Sequence, residues 1–115
     1  MKFKRQKKNT LPKGYLLTHY RIEKPIGGGG FSYVYLATDE MTGDPVAIKE
    51  YLPSNQAQRV DDARVEPLTE DTAAAFRQGI KRFFEEAAAL ARINHPNIVR
   101  VVNFFRANNT VYMVM

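Results

Sequence analysis

The chain has 115 residues, no cysteine, two histidines and a formal net charge of +5. That length holds one domain with a modest core, the lack of cysteine excludes disulfides and thiolate zinc sites, and two histidines are a poor basis for any other metal centre. The charge is local: six Lys and Arg fall within residues 1–13 with no acid among them, and the other eleven meet twelve Asp and Glu, a net of −1.

The basic segment, residues 1–14, reads as a solvated, disordered arm. It lacks the apolar stretch of a signal peptide, and no run in the chain approaches the roughly 20 apolar residues that cross a bilayer. A cytoplasmic protein is expected. Phe3 is the arm's only aromatic residue, so no platform for bases is built and no specific nucleic-acid partner is expected. Contact between the arm and anionic lipid is a secondary reading, since no amphipathic face accompanies the charges. One folded unit is expected over residues 15–115.

Residues 15–26 carry apolar side chains at irregular spacing and lead into Gly27-Gly28-Gly29-Gly30, which a strand interior would avoid. A strand followed by a tight loop fits. Residues 31–38 resume with the strand formers Tyr33, Val34, Tyr35 and Leu36 and end in the polar turn 39–44, and residues 45–50 make a third strand. Residues 52–71 turn polar, hold Pro53, Pro67 and Asp61-Asp62, and read as an insertion without a sustained period. Asp71 or Thr72 can cap a helix whose apolar positions Phe76, Ile80, Phe83, Ala87 and Leu90 alternate spacings of four and three. Gly79 lies inside it and costs about 1 kcal/mol relative to alanine, which predicts a bend. The stripe stops at Asn94-His95-Pro96-Asn97, and residues 98–105 and 110–115 form two further strands joined through Ala107-Asn108-Asn109. The element order is βββαββ: an α+β unit with a five-stranded antiparallel sheet and one main helix.

Three features of this order carry chemistry. A phosphate approaches a backbone closely only where side chains are missing, and Gly27 to Gly30 provide such a place. In the third strand alternate residues share a face, so Ala47 and Lys49 point together, the small residue leaving room for a planar group and the lysine reaching anionic oxygens. Taking about 100° per residue from Phe83, Glu86 falls at about −60° and Glu85 at about 200°. Glu86 therefore borders the apolar stripe, where it can meet Lys49, while Glu85 points to water.

Together these elements resemble the N-terminal lobe of a eukaryotic-type serine/threonine protein kinase, of the sort bacteria also carry. The likeness rests on the glycine loop with Phe31 and Val34, on Val46-Ala47-Ile48-Lys49, on a helix glutamate nine residues before His95 of His95-Pro96-Asn97-Ile98-Val99, and on the closing Tyr112-Met113-Val114-Met115. It implies ATP as the nucleotide, with Gly27, Gly28, Gly29, Gly30, Phe31 and Ser32 along the phosphates and Ile26, Val34 and Ala47 enclosing the adenine. Lys49 would hold the α- and β-phosphates, paired with Glu86 in the active arrangement, and Met115 would match the gatekeeper. Ser32 replaces the third glycine of the family's Gly-x-Gly-x-x-Gly pattern, and the interval from Lys49 to Glu86 is lengthened by residues 52–71.

The resemblance further implies that Mg2+ and the protein substrate are held by a second, helical lobe. The catalytic base and metal ligands of the family fall beyond residue 115, so this chain alone is expected to bind nucleotide without catalysing transfer. No metal site is expected within it. The alternative is a freestanding nucleotide-binding or docking module that acts through a partner kinase, using the surface a second lobe would cover.

Overall fold

The computed structural model describes residues 9–115. Strands β1 (Leu16–Leu17), β2 (Tyr20–Gly28), β3 (Ser32–Asp39) and β4 (Pro45–Tyr51) form an antiparallel meander. Two short strands, β5 (Ala57–Arg59) and β6 (Val65–Pro67), pair as a separate hairpin, and the helix α1 (Glu70–Ala91) follows. Strands β7 (Asn103–Ala107) and β8 (Thr110–Val114) then join the main sheet, whose order is β1-β2-β3-β4-β8-β7. The expected βββαββ core is present. The two-residue β1 makes the sheet six-stranded, and the insertion carries its own hairpin.

Local chemistry explains most boundaries. The β7–β8 turn places Asn108 and Asn109 at φ 55° and 65°, the left-handed pair that a two-residue hairpin requires and asparagine tolerates. The helix is capped by Thr69, not by Asp71 or Thr72: the Thr69 hydroxyl accepts from the Thr72 amide, and the Thr72 hydroxyl accepts from the Thr69 amide. It runs without a break through Gly79. Phe76, Ile80, Phe83 and Ala87 are buried along one side, as the period predicts. Of the strand expected over residues 98–105, only the part from Asn103 forms: residues 98–102 lie outside β7, although the Val102 amide still donates to the Val114 carbonyl at 2.8 Å.

Most of the predicted arm lies in residues 1–8, outside the described residues. Residues 9–14 depart from that expectation. Leu11 is buried, its amide donates to the Tyr35 hydroxyl at 3.1 Å, and the Gly14 amide donates to the Ile22 carbonyl at 2.7 Å. The segment covers sheet surface that would otherwise be wet, a favourable term that the count of lysines conceals.

The sheet buries both faces. On one, α1 packs over Leu52, Val65, Val101, Val111 and Met113; on the other, Leu11, Leu17, Tyr20, Ile22, Ile48 and Val114 close together. The second face contains a charged centre. Glu50 is fully buried, its carboxylate accepting from the hydroxyls of Tyr35 (2.6 Å) and Tyr112 (2.7 Å) and from Arg59 Nη2 (2.5 Å). Burial in the first place, and the Glu50 carboxylate in the second, push both tyrosines well above their ordinary pKa of 10.0. Burial by itself would lower the Arg59 pKa, but attraction to Glu50, Tyr35 and Tyr112 together with the hydrogen bond to Glu50 outweighs it, and the net shift is upward.

Raised phenol pKa values give the pH dependence a definite sign. Above about pH 10 the unfolded chain releases these two protons while the folded chain keeps them, so stability held below that pH is lost as pH rises toward the folded values. Melting temperatures measured from pH 8 to pH 11.5 should fall steeply above about pH 10. Tyr35→Phe and Tyr112→Phe together should flatten that slope; an unchanged slope would show that these phenols do not set it.

Candidate functional site

The pairing registers bring four of the predicted residues, Val34, Ala47, Lys49 and Met115, onto one face of the sheet. Lys49 lies directly opposite Val34 on one side and Met113 on the other. One pair further along, Ala47 lies between Leu36 and Met115, exchanging two backbone hydrogen bonds with Met115 at 3.0 and 2.8 Å. Directly opposed residues share a face, so Val34, Leu36, Ala47, Lys49, Met113 and Met115 form one surface, mostly apolar with a single ammonium. Leu36 and Met113 were not singled out from sequence. Their parity with Val34 and Met115 was the available signal.

The glycine hairpin closes the end of this surface between β2 and β3. The Gly29 amide donates to the Ser32 carbonyl at 3.0 Å. A Cβ on Gly28 would come within 2.8 Å of the Tyr33 ring, whereas Gly29 and Gly30 have open space where side chains would be. Nothing stands where side chains at those two positions would be, so a polyphosphate has room to approach the backbone there, although the Gly29 amide is already bonded to Ser32. Ser32, at the third-glycine position, lies in β3 with ordinary backbone, so its side chain brings no conformational strain. Ile26 sits in the bulge between Pro25 and Gly27 and is exposed, and Phe31 is exposed at the hairpin tip, so neither adds to the packed surface.

Glu86 does not meet Lys49 in this structure. Among the described residues no carboxylate oxygen lies within 4.0 Å of the Lys49 ammonium, and Glu86 is exposed. It lines a shallow hollow with Tyr51, Gly79, Arg82 and Phe83. Tyr51 lies on the same side. Two residues after Lys49, it points to the same face, and its ring stacks on Phe76 at 5.9 Å and tilts against Phe83 at 5.5 Å. The ring thus fills space between β4 and the helix, next to the glutamate. Sequence reading set the angle of Glu86 on the helix, but not the distance of the helix from the sheet.

The residues present fit a nucleoside polyphosphate in shape and charge: an apolar strip beside the small Ala47, one ammonium, and unobstructed backbone at Gly29 and Gly30. Among the described residues no three His, Cys, Asp or Glu side chains cluster in a way that would hold a metal ion, and no helix is long and apolar enough to cross a membrane.

An antiparallel sheet of this order, with one helix packed on the face that bears a strand lysine and a glycine hairpin at its end, defines the N-terminal lobe of a protein kinase. The chain belongs to that family: the protein kinase domain model matches residues 20–115. Serine/threonine-protein kinase srk1 of Schizosaccharomyces pombe is 30% identical over 101 residues, covering 86% of this chain. CBL-interacting protein kinase 19 of Oryza sativa subsp. japonica is 32% identical over 103 residues, covering 89%. This chain spans 16% of the length of each. Among solved structures, the apo form of PpkA-294 superposes with a TM-score of 0.89 at 39% identity, over 93% of this chain and 38% of that one. The kinase domain of Mycobacterium tuberculosis PknI shares the fold, with a TM-score of 0.61 at 22% identity, over 92% of this chain and 35% of that one.

Proposed function

We propose that this chain is the ATP-binding lobe of a cytoplasmic serine/threonine protein kinase and takes part in phosphoryl transfer from ATP to protein serine or threonine once a helical lobe completes the site. The observation that carries this reading is the shared face of Val34, Ala47, Lys49 and Met115 beside the glycine hairpin. ATP supplies the transferred phosphoryl group. The chain's own residues do the rest of the holding: Val34, Leu36 and Ala47 shield the base from water, the bare backbone of Gly29 and Gly30 approaches the phosphates, and Lys49 neutralises two of them. Ile26 and Phe31, exposed in this structure, would close over the nucleotide from the hairpin.

Glu86 would complete the arrangement by pairing with Lys49 as α1 moves toward the sheet. Mg2+ and the protein substrate would be held by the second lobe. The exposed apolar residues Ile93, Ile98, Val99 and Val102, on the segment between α1 and β7, are suited to contact with such a lobe. In a protein carrying both lobes, Lys49→Ala should lower kcat/KM for a serine or threonine peptide by about 100-fold or more. Phosphorylation by that variant at the unsubstituted rate would refute the reading.

A further inference from the structure

Residues 52–71 lengthen the connection between Lys49 and the helix, and on length alone they would be a neutral insertion. Their contacts say otherwise. The β3–β4 ladder continues past its last regular pair into the glycine hairpin: the Leu52 amide donates to the Phe31 carbonyl at 2.9 Å, and the Ser54 amide to the Gly30 carbonyl at 2.8 Å. The descending arm of the hairpin is therefore tied to the first residues of the insertion. Those residues are themselves held. Leu52 and Pro53 are buried, and the Pro53 carbonyl accepts from the amides of Gln56 and Ala57, both at 3.0 Å.

The insertion is anchored a second time, beside the lysine. Arg59 reaches from β5 to the buried Glu50, the residue that follows Lys49 in β4, and also donates to the Ala63 carbonyl at 2.5 Å. Its hairpin is tied to the turn between β7 and β8 as well: the Val65 amide donates to the Asn108 carbonyl at 2.9 Å, and Asn109 Nδ2 to the Val65 carbonyl at 2.9 Å. One short segment thus grips both the glycine hairpin and the strand that carries Lys49. Glycines at 27 to 30 would otherwise leave that hairpin with the largest conformational freedom in the lobe.

We propose that residues 52–71 are a positioning element for the phosphates of the bound nucleotide, with the Ser54 backbone amide as the contact that sets the hairpin against Lys49 and Arg59 as its anchor. This rests on the ATP-binding reading above. The amide can be removed without touching the pocket. Ser54→Pro deletes the donor, whereas Ser54→Ala keeps it and removes only an exposed hydroxyl.

The test is an NMR titration of the 115-residue chain and these two variants with ATP and, separately, with adenosine. If the tie positions the phosphates, Ser54→Pro weakens ATP by about fivefold, the loss of one hydrogen bond, while adenosine is held as before and Ser54→Ala matches the unsubstituted chain for both ligands. A Ser54→Pro chain that keeps the original ratio of ATP to adenosine affinity overturns the proposal. An unsubstituted chain with no preference for ATP over adenosine overturns the ATP reading itself, and the proposal with it. Should Ser54→Pro fail to fold, amide exchange in the unsubstituted chain decides. Leu52 and Ser54 amides as protected as those of the β3–β4 ladder support the tie, and exchange at the free-chain rate refutes it.

Discussion

Arg59→Met should cost the fold about 3–5 kcal/mol, because it leaves the Glu50 carboxylate buried with its cation gone. Both side chains of this pair are almost wholly inaccessible, at 3% and 0% exposure, so water cannot take the place of the guanidinium. Two phenol hydroxyls would remain on the carboxylate, but neutral donors cannot balance a buried charge. A domain of this size has about 5–15 kcal/mol in total, so urea unfolding should show a midpoint lower by about 2 M or more, or a chain that no longer folds. The origin of the loss can be separated from simple loss of packing. Glu50→Gln combined with Arg59→Met removes both charges and keeps groups that the two tyrosines can bond, so it should recover more than half of the stability. A single Arg59→Met variant within 1 kcal/mol of the unsubstituted chain would mean that the pair contributes little.

That charged centre marks the limit of what the sequence made legible. The alternation that put Ala47 with Lys49, the helical stripe of Phe76, Ile80, Phe83 and Ala87, and the Asn108-Asn109 turn each depend on residues a few positions apart and are present as read, whereas the glycine loop is shorter than expected because Gly27 and Gly28 still pair in β2. Glu50 and Arg59 are nine residues apart across a polar segment, and nothing in the sequence singles them out as a pair. Only folding shows that β4 turns Glu50 inward toward Tyr35 and Tyr112, from two other strands. Leu11 was hidden for the same reason, as one apolar residue in a run counted for its lysines. The strand expected over 98–105 begins only at Asn103, because β-propensity describes a residue's fit to a sheet and not where pairing starts. The angular position of Glu86 followed from helix geometry, but helix periodicity carries no information on its distance from Lys49 or on the Tyr51 ring that packs against Phe76 and Phe83.

Gly79→Ala tests that last point, because helix propensity and packing predict opposite signs. In an ordinary helix interior alanine is favoured over glycine by about 1 kcal/mol. Here a Cβ would overlap the Tyr51 hydroxyl and lie 2.6 Å from Cζ of the same ring. The ring is stacked on Phe76 and braced by Phe83, so it can yield only by giving up those contacts. Forcing extra volume into such a site costs about 1–3 kcal/mol, so Gly79→Ala should destabilise the chain despite its better propensity. With Tyr51→Ala already in place the overlap is gone, and the same change at residue 79 should become neutral or stabilising by up to about 1 kcal/mol. Chemical denaturation of the four proteins of this cycle measures the coupling directly, and additive effects would rule the contact out. Gly79 then serves not to bend the helix, which runs straight through it, but to let the Tyr51 ring lie against the backbone. Tyr51 shares its strand and face with Lys49, so this contact lies between the strand that carries the lysine and the helix that carries Glu86.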